Sequence, residues 1–181
     1  AAERAPVREL TLSAAQQEAA ASPEGMLVVR AGPGTGKTRT LVERIRALQA
    51  AGSSSILAVT FTVKAAQEIR DRLGDARAEV FTFHALAARI MRDCGIGFHI
   101  ADEDMLLGTA SRWGLDNGEP FVQDMLLRLS TGRPLEHEQS FLLDALQAEG
   151  YYTYEGMIHE AIRLARSGGF IPSWEHVMVD E

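Results

Sequence analysis

The stretch Ala31-Gly32-Pro33-Gly34-Thr35-Gly36-Lys37-Thr38 decides the fold of this chain. It fits the Walker A phosphate loop, with Ala31 in place of the usual first glycine. Glycines let backbone N–H groups converge on a phosphate without an intervening Cβ, and a helix that follows adds the partial positive charge of its N-terminus. The alternative is a glycine-rich turn that binds nothing. The Lys-Thr pair and both flanks favour the loop, so the sequence predicts binding of a nucleoside triphosphate.

The flanks of this stretch supply the strand and the helix that the motif needs. An apolar run, Met26 to Val29, precedes the loop and predicts a first strand over residues 26–31. A helical stretch follows and predicts a helix over residues 37–50. In this setting Lys37 can reach the β- and γ-phosphates, and the Thr38 hydroxyl can ligate Mg²⁺.

Strands and helices continue to alternate after the loop. The apolar run 56–61 predicts a buried strand, and the helical spacing that follows predicts a helix capped by Thr62 and ended by Gly74. A third strand is predicted over 80–83 and a third helix over 86–92. Such alternation predicts a parallel sheet with helices on its faces.

The alternation breaks at the glycines of residues 95–97, and no clear strand follows until Val177-Met178-Val179. The intervening chain has apolar residues at helical spacing, which predicts an all-helical insertion. The predicted division is an ATP-binding core over 1–94, a helical insertion over 95–175 and a return strand over 176–181.

The distribution of charge, the cysteine content and the lengths of the apolar runs indicate where nucleic acid could bind and argue against a membrane protein. Residues 1–94 hold 13 Lys and Arg against 10 Asp and Glu, whereas residues 95–181 hold 5 against 15. Since phosphate contacts draw on Lys and Arg, any nucleic-acid contact is expected on the first part. The single cysteine, Cys94, excludes an internal disulfide and is typical of a reducing compartment, so we expect a cytoplasmic protein. No apolar run is long enough for a membrane span, and no membrane partner is expected.

The return strand ends in Asp180-Glu181. In a phosphate-hydrolysing site, such an Asp holds Mg²⁺ and the Glu takes a proton from the attacking water. An apolar run followed by Asp-Glu also occurs at ordinary solvated strand ends. Downstream of a phosphate loop, we favour the metal-and-base interpretation.

Five motifs in one order make the chain resemble the UvrD/Rep/PcrA-type superfamily 1 DNA helicases. The Leu12-x-x-x-Gln16-x-Glu18-Ala19 pattern resembles their glutamine motif, and the phosphate loop follows it. The remaining motifs are Thr60–Ala66 (TFTVKAA, close to TFTNKAA), Thr82–Leu86 (TFHAL, close to TFHSL) and Val177–Glu181 (VMVDE, the Walker B strand).

The resemblance implies a fold, an activity and partners. The fold is a RecA-like P-loop NTPase, with a parallel sheet, helices on both faces and an inserted all-helical subdomain. The activity is that of the first RecA-like domain of an ATP-dependent DNA helicase, which couples ATP hydrolysis to translocation on single-stranded DNA and duplex unwinding in DNA repair or replication. The cofactors are ATP and Mg²⁺. The partners are single-stranded DNA, single/double-strand junctions and a second RecA-like domain.

The resemblance also implies residue roles. Catalysis is assigned to Lys37, Asp180 and Glu181, and Mg²⁺ binding to Thr38 and Asp180. Nucleotide binding is assigned to Gln16, which would read the adenine edge, to Gly32, Pro33, Gly34, Thr35, Gly36, Lys37 and Thr38, and to Arg39 beside the base. DNA contact is assigned to Thr60, Phe61, Lys64, Phe83 and His84. For the two phenylalanines, core packing is the alternative.

Departures from the family pattern limit these expectations. Val63 stands where the family has Asn, and Ala85 replaces a Ser, so DNA contact is expected to be weaker. The acidic charge of the insertion argues against the duplex contact that the family's subdomain makes. The sequence stops within the Walker B motif and holds no second-domain arginines. We therefore expect a fragment that binds ATP, hydrolyses it very weakly and does not unwind DNA.

Three alternatives stay open at this point. The parent could be a helicase–nuclease, whose nuclease domain would lie beyond residue 181. The chain could be a non-translocating module that binds nucleotide to regulate a partner, which the acidic insertion and Val63 favour. A small phosphotransferase is the third, although the Thr60–Ala66 and Thr82–Leu86 motifs have no use in such an enzyme.

Overall fold

The computed structural model describes residues 12–23, 25–115 and 118–180 of the chain. Backbone contacts divide it into two compact units, which we describe separately. Unit 1 comprises Ala1–Thr82 and Ser173–Glu181, and unit 2 comprises Phe83–Pro172. Along the sequence, unit 2 lies between the two segments of unit 1.

Helices and strands follow one another in both units. In chain order they are α1 (Ala14–Ala21), α2 (Lys37–Ala50), β1 (Ile56–Thr60), α3 (Val63–Leu73), β2 (Glu79–Thr82), α4 (Phe83–Asp93), β3 (His99–Ile100), α5 (Glu103–Arg112), α6 (Glu119–Thr131), α7 (His137–Ala148), β4 (Tyr151–Tyr152), α8 (Tyr154–Arg166) and β5 (His176–Asp180). No helix within the described ranges combines the length and the apolar content that crossing a bilayer requires.

The sheet of unit 1 is parallel and has the strand order β2-β1-β5. Its register places Thr60, at the end of β1, opposite both Thr82 and Asp180. The carboxyl ends of all three strands therefore meet at one edge, where ligand sites of open parallel sheets form. The prediction of an α/β chain with a parallel sheet is confirmed.

One face of this sheet packs against α2 and α3. Ile45 of α2, Ile69 of α3 and Ala58 of β1 have no exposed surface, and Ile56 and Val80 join them in one cluster. The burial of each of the isoleucine and valine side chains contributes about 1.5–3 kcal/mol to the stability of the fold. This cluster holds α2, and with it the loop that precedes α2, against the strands.

The predicted Thr62 cap of α3 is confirmed, and Ser13 caps α1 in the same way. The Ser13 hydroxyl accepts a hydrogen bond from the Gln16 N–H at 3.3 Å, and the Thr62 hydroxyl accepts one from the Ala65 N–H at 3.1 Å. Both satisfy N–H groups that a helix N-terminus leaves without an intrahelical partner. Gly74 ends α3, as its position after the last apolar residue predicts.

The strand predicted over residues 26–31 does not form. Met26 and Val28 are 87% and 73% exposed, and no backbone hydrogen bond joins 27–30 to another described segment. A groove of about 850 Å³, lined by residues of this segment and by Val177 and Val179, lies between it and β5. Strand propensity alone cannot make a strand, because the ladder requires a hydrogen-bonding neighbour at about 4.8 Å.

Unit 2 is predominantly helical and has two apolar cores. One joins α5, α6 and α7 around Met125 and Leu142, and the other joins α4 and α8 around Met91 and Met157. The expectation that this region contains no strand is wrong, because β3 and β4 pair in parallel, His99 opposite Tyr151. Two-residue strands are too short to leave a periodic signal in the sequence.

Candidate nucleotide-binding site

The phosphate-loop stretch leads directly into α2 and contains two backbone turns that require glycine. Gly34 has φ 72° and Gly36 has φ 88°, both in the left-handed region that side chains rarely adopt. Gly36 is the N-cap of α2, and no side chain caps this helix. The N–H groups of its first turn therefore have no side-chain cap, and together with the positive end of the helix dipole they favour an anion at this end of α2.

Three hydrogen bonds to carbonyl oxygens fix the shape of the loop. The Thr35 hydroxyl donates to Gly32 O at 2.7 Å, and the Lys37 ammonium donates to Ala31 O at 3.0 Å. From outside the loop, Gln16 Nε2 donates to Thr35 O at 2.8 Å. The loop is therefore held both internally and from α1.

Thr38, in the first turn of α2, meets Asp180, at the end of β5. Thr38 Oγ1 donates a hydrogen bond of 2.8 Å to Asp180 Oδ2, and Asp180 is only 7% exposed. The pair brings a hydroxyl and a carboxylate together at the end of the loop. Hard oxygen donors of this kind are the ligands that Mg²⁺ prefers, and Mg²⁺ typically takes only one or two from protein. The residues present thus fit the ion, although no cluster of three or more His, Cys, Asp and Glu that could hold a metal occurs within the described chain.

Residues 12–113 of the chain, more than half of its length, match the family model described as the UvrD/REP helicase N-terminal domain. The chain belongs to this family. The match spans the glutamine motif, the predicted phosphate loop and the two motifs that follow, whereas Asp180, the partner of Thr38, lies outside it.

Curated relatives match about half of the chain. "DNA helicase II" of Escherichia coli is 46% identical over 91 residues, which are 45% of this chain and 13% of the relative. "ATP-dependent DNA helicase PcrA" of Leuconostoc citreum is 40% identical over 107 residues, 54% of this chain and 14% of the relative. "Probable DNA helicase II homolog" of Rickettsia conorii is 44% identical over 90 residues, 46% and 14% respectively. The chain therefore matches only about one seventh of the length of these proteins.

Three candidates for the nucleotide site lie outside the Thr38–Asp180 pair and the loop itself: Gln16, Arg39 and Glu181. Gln16 lies on α1 and contacts the loop, and Arg39 is half-buried in the first turn of α2. Glu181 lies outside the described residues.

Two further residues stabilise the surroundings of the loop through contacts that no pattern in the sequence indicates. Arg44 of α2 donates to Ala19 O at 3.1 Å and to Ser22 O at 2.9 Å, which ties the end of α1 to α2. The Thr40 hydroxyl donates to Gly36 O at 3.1 Å. Since all three acceptors are backbone carbonyls, no side-chain pattern in the sequence could have indicated these contacts.

The candidate DNA-contact residues of unit 1 lie at and beyond the carboxyl end of β1. Thr60 is 2% exposed, whereas Phe61 is 63% exposed and Lys64 is exposed on α3. Phe61 is thus on the surface, and the alternative of a core position does not hold for it. An exposed aromatic ring beside a lysine suits stacking on bases next to a phosphate backbone.

The other two candidates begin α4 in unit 2. Phe83 is half-buried, and His84 is exposed. The ring of His84 lies 5.5 Å from that of Tyr154, edge to face. Tyr154 is 56% exposed at the start of α8.

Proposed function

We propose that this chain is the first ATP-binding domain of an ATP-dependent DNA helicase that translocates on single-stranded DNA and unwinds duplexes in DNA repair or replication. The observation that carries the proposal is the hydrogen bond between Thr38 and Asp180. It joins the phosphate loop to the strand that ends in Asp-Glu, and these are the two halves of a phosphate-hydrolysing site.

The loop residues bind the triphosphate in this proposal. The backbone N–H groups of Gly32, Gly34, Thr35 and Gly36 and of the first turn of α2 receive the phosphates. The Lys37 ammonium exchanges Ala31 O for phosphate oxygens. Thr38 and Asp180 would hold Mg²⁺, which, when bound, neutralises charge on the phosphates.

Three further residues complete the nucleotide site. Gln16 pairs with the adenine edge, and Arg39 lies against the base. Glu181 acts as the general base that takes a proton from the attacking water. Glu181 directly follows the buried Asp180 in the sequence.

Single-stranded DNA contacts Thr60, Phe61, Lys64, Phe83 and His84, which the family motifs single out. The exposure of Phe61 and the excess of basic residues over 1–94 support this. Single/double-strand junctions are the physiological substrate in this proposal, and a second RecA-like domain supplies the arginines that complete hydrolysis. The chain alone therefore binds ATP and hydrolyses it very weakly.

The proposed architecture is a RecA-like P-loop core, residues 1–94 and 176–181, with helices on both faces of its sheet and an inserted helical subdomain over 95–175. The separate apolar cores of units 1 and 2 support a division into a core and an inserted subdomain, with α4 packed in unit 2.

Calorimetric titration of ATP with Mg²⁺ into the 181-residue chain tests the proposal, beside Lys37→Ala and the control Arg77→Ala. Arg77 is an exposed cation of the same unit, between α3 and β2. We expect binding by the chain and by Arg77→Ala, and a loss of at least about 100-fold in Lys37→Ala, because a desolvated cation–phosphate contact is removed. Equal affinities of the two variants would refute the phosphate-loop assignment.

A non-translocating regulatory module is the second candidate. Val63 is 76% exposed at the position where the family has Asn, so an apolar side chain faces solvent beside the proposed DNA path. Nucleotide binding without any binding of a single-stranded oligonucleotide, in the 181-residue chain and in any longer form, would favour this candidate.

A further inference from the structure

The side-chain amide of Gln16 bridges two backbone segments. Gln16 Oε1 accepts a hydrogen bond from the Ser13 N–H at 2.8 Å, and Gln16 Nε2 donates to Thr35 O at 2.8 Å. The first bond belongs to the capping box of α1, which fixes the rotamer of the side chain. The second bond therefore connects a fixed group to the middle of the phosphate loop.

The helix that carries Gln16 is itself anchored to the helix that follows the loop. Arg44 of α2 donates to two carbonyl oxygens at the end of α1, Ala19 O and Ser22 O. Gln16 thus contacts the loop from a support that is tied to α2, and Thr35 O is held relative to the first turn of the same helix.

The fit between Gln16 and the loop is close. A Cβ added to Gly36 would lie 2.9 Å from Gln16 Nε2, closer than real Cβ atoms approach a neighbour. Gly36 also has φ 88°. The backbone conformation at this position therefore favours glycine, and a side chain there would displace the Gln16 amide.

The amide retains hydrogen-bonding capacity after both contacts. A carboxamide offers two N–H donors and two acceptor lone pairs, and the two bonds use one of each. One donor and one acceptor remain, and adenine presents the complementary N7 acceptor and N6 donor on a single edge. The same amide can thus contact a base and hold the loop at once.

We propose that Gln16 is a positioning residue that holds the phosphate loop in its binding conformation through Thr35 O and so couples recognition of the base to binding of the phosphates. The inference rests on the proposed function, because it concerns the same nucleotide site. Its consequence is specific: loss of the Gln16 amide weakens binding even of a ligand that has no base.

Inorganic tripolyphosphate is that ligand, and Gln16→Met is the test variant because methionine is neutral and of similar length. Gln17→Met is the matched control, since Gln17 lies next to it on α1 and its amide donates to Leu12 O at 3.2 Å. Ser13→Ala is a second control that weakens the cap of α1 while the Gln16 side chain stays intact. ATP, GTP and tripolyphosphate are titrated into the four 181-residue proteins, and amide hydrogen exchange over residues 34–37 is measured without ligand.

We expect Gln16→Met to weaken tripolyphosphate binding about fivefold, the effect of one neutral hydrogen bond, and to weaken ATP binding further. Hydrogen exchange over 34–37 rises in this variant, and both controls stay within twofold of the parent chain. Weakened ATP binding with unchanged tripolyphosphate binding would overturn the inference, because Gln16 would then act on the base alone. Unchanged exchange over 34–37 would also overturn it. A parent chain that binds neither ATP nor tripolyphosphate, yet shows faster exchange in Gln16→Met, would count against the proposed function and support the tie between Gln16 and the loop.

Discussion

Thr38 and Asp180 are separated by 142 residues in sequence, yet the Thr38 hydroxyl lies 2.8 Å from a carboxylate oxygen of Asp180. The contact exists because α2 packs on the sheet and β5 pairs with β1 in a register that brings Asp180 level with Thr60. Asp180 is 7% exposed, and the Thr38 hydroxyl satisfies one of its carboxylate oxygens. Substituting Thr38 therefore tests this contact directly.

Thr38→Val removes the hydroxyl and keeps the shape of the side chain. We expect the affinity for ATP with Mg²⁺ to fall about tenfold, because an oxygen ligand of the ion is lost, and the affinity for ATP in EDTA to stay unchanged. The free energy of unfolding should fall by about 1–3 kcal/mol, since a buried carboxylate loses its partner. Calorimetry with and without Mg²⁺, and urea denaturation, measure the two effects.

Thr131→Val is the control for this experiment, because the Thr131 hydroxyl donates to Leu127 O on α6, in unit 2. It should leave both ATP affinities unchanged. Equal losses of ATP affinity for Thr38→Val with Mg²⁺ and in EDTA would contradict an ion-binding role of the hydroxyl.

Comparing Gly36→Ala with Gly52→Ala separates the effect of backbone strain from the effect of a clash with the Gln16 amide. Both glycines have positive φ, 88° and 102°, and alanine at either position should cost about 1–2 kcal/mol of stability. Only at Gly36 does the added Cβ meet another group, Gln16 Nε2. We expect both variants to lose similar thermal stability and only Gly36→Ala to lose ATP binding; loss of binding in both would point to general unfolding instead.

Phe61→Ala and Phe141→Ala test the DNA path. The two phenylalanines have similar exposure, 63% and 54%, but only Phe61 lies in a family motif. Removing a ring that stacks on a base should weaken single-stranded DNA binding by about 1–3 kcal/mol. Fluorescence anisotropy with a labelled oligonucleotide measures it, and we expect no change for Phe141→Ala. Similar effects of the two substitutions would argue against a specific role of Phe61.

Val177→Lys tests the edge of the sheet. β5 is the last strand of the described sheet on its side, and Val177 and Val179 are 58% and 56% exposed there. Exposed apolar edges favour strand pairing between molecules, and a lysine opposes it. Sedimentation velocity should show concentration-dependent association of the chain that Val177→Lys reduces. The control Ile162→Lys, at a 43% exposed position of α8, should leave association unchanged, and a chain that stays monomeric at all concentrations would contradict the prediction.

The strands of unit 1 show where prediction from sequence succeeds. Ile56–Thr60 is a continuous apolar run, all five residues are buried, and the run forms a central strand as predicted. Met26–Val29 has the same apolar character and forms no strand, because no described strand lies beside it to complete a ladder. Burial and pairing are properties of neighbours, which a local pattern does not contain.

The sequence by itself determined the elements whose causes are local. These are the phosphate loop, whose glycines at 34 and 36 set the backbone, the caps at Ser13 and Thr62, and the order of the motifs that placed the chain in its family. Tertiary structure alone decided which distant groups meet: Thr38 with Asp180, Gln16 with Thr35 O and Arg44 with the end of α1. The reason is that local motifs depend on dihedral angles and spacing within a few residues, whereas these contacts depend on how helices pack on the sheet and on the register of β5.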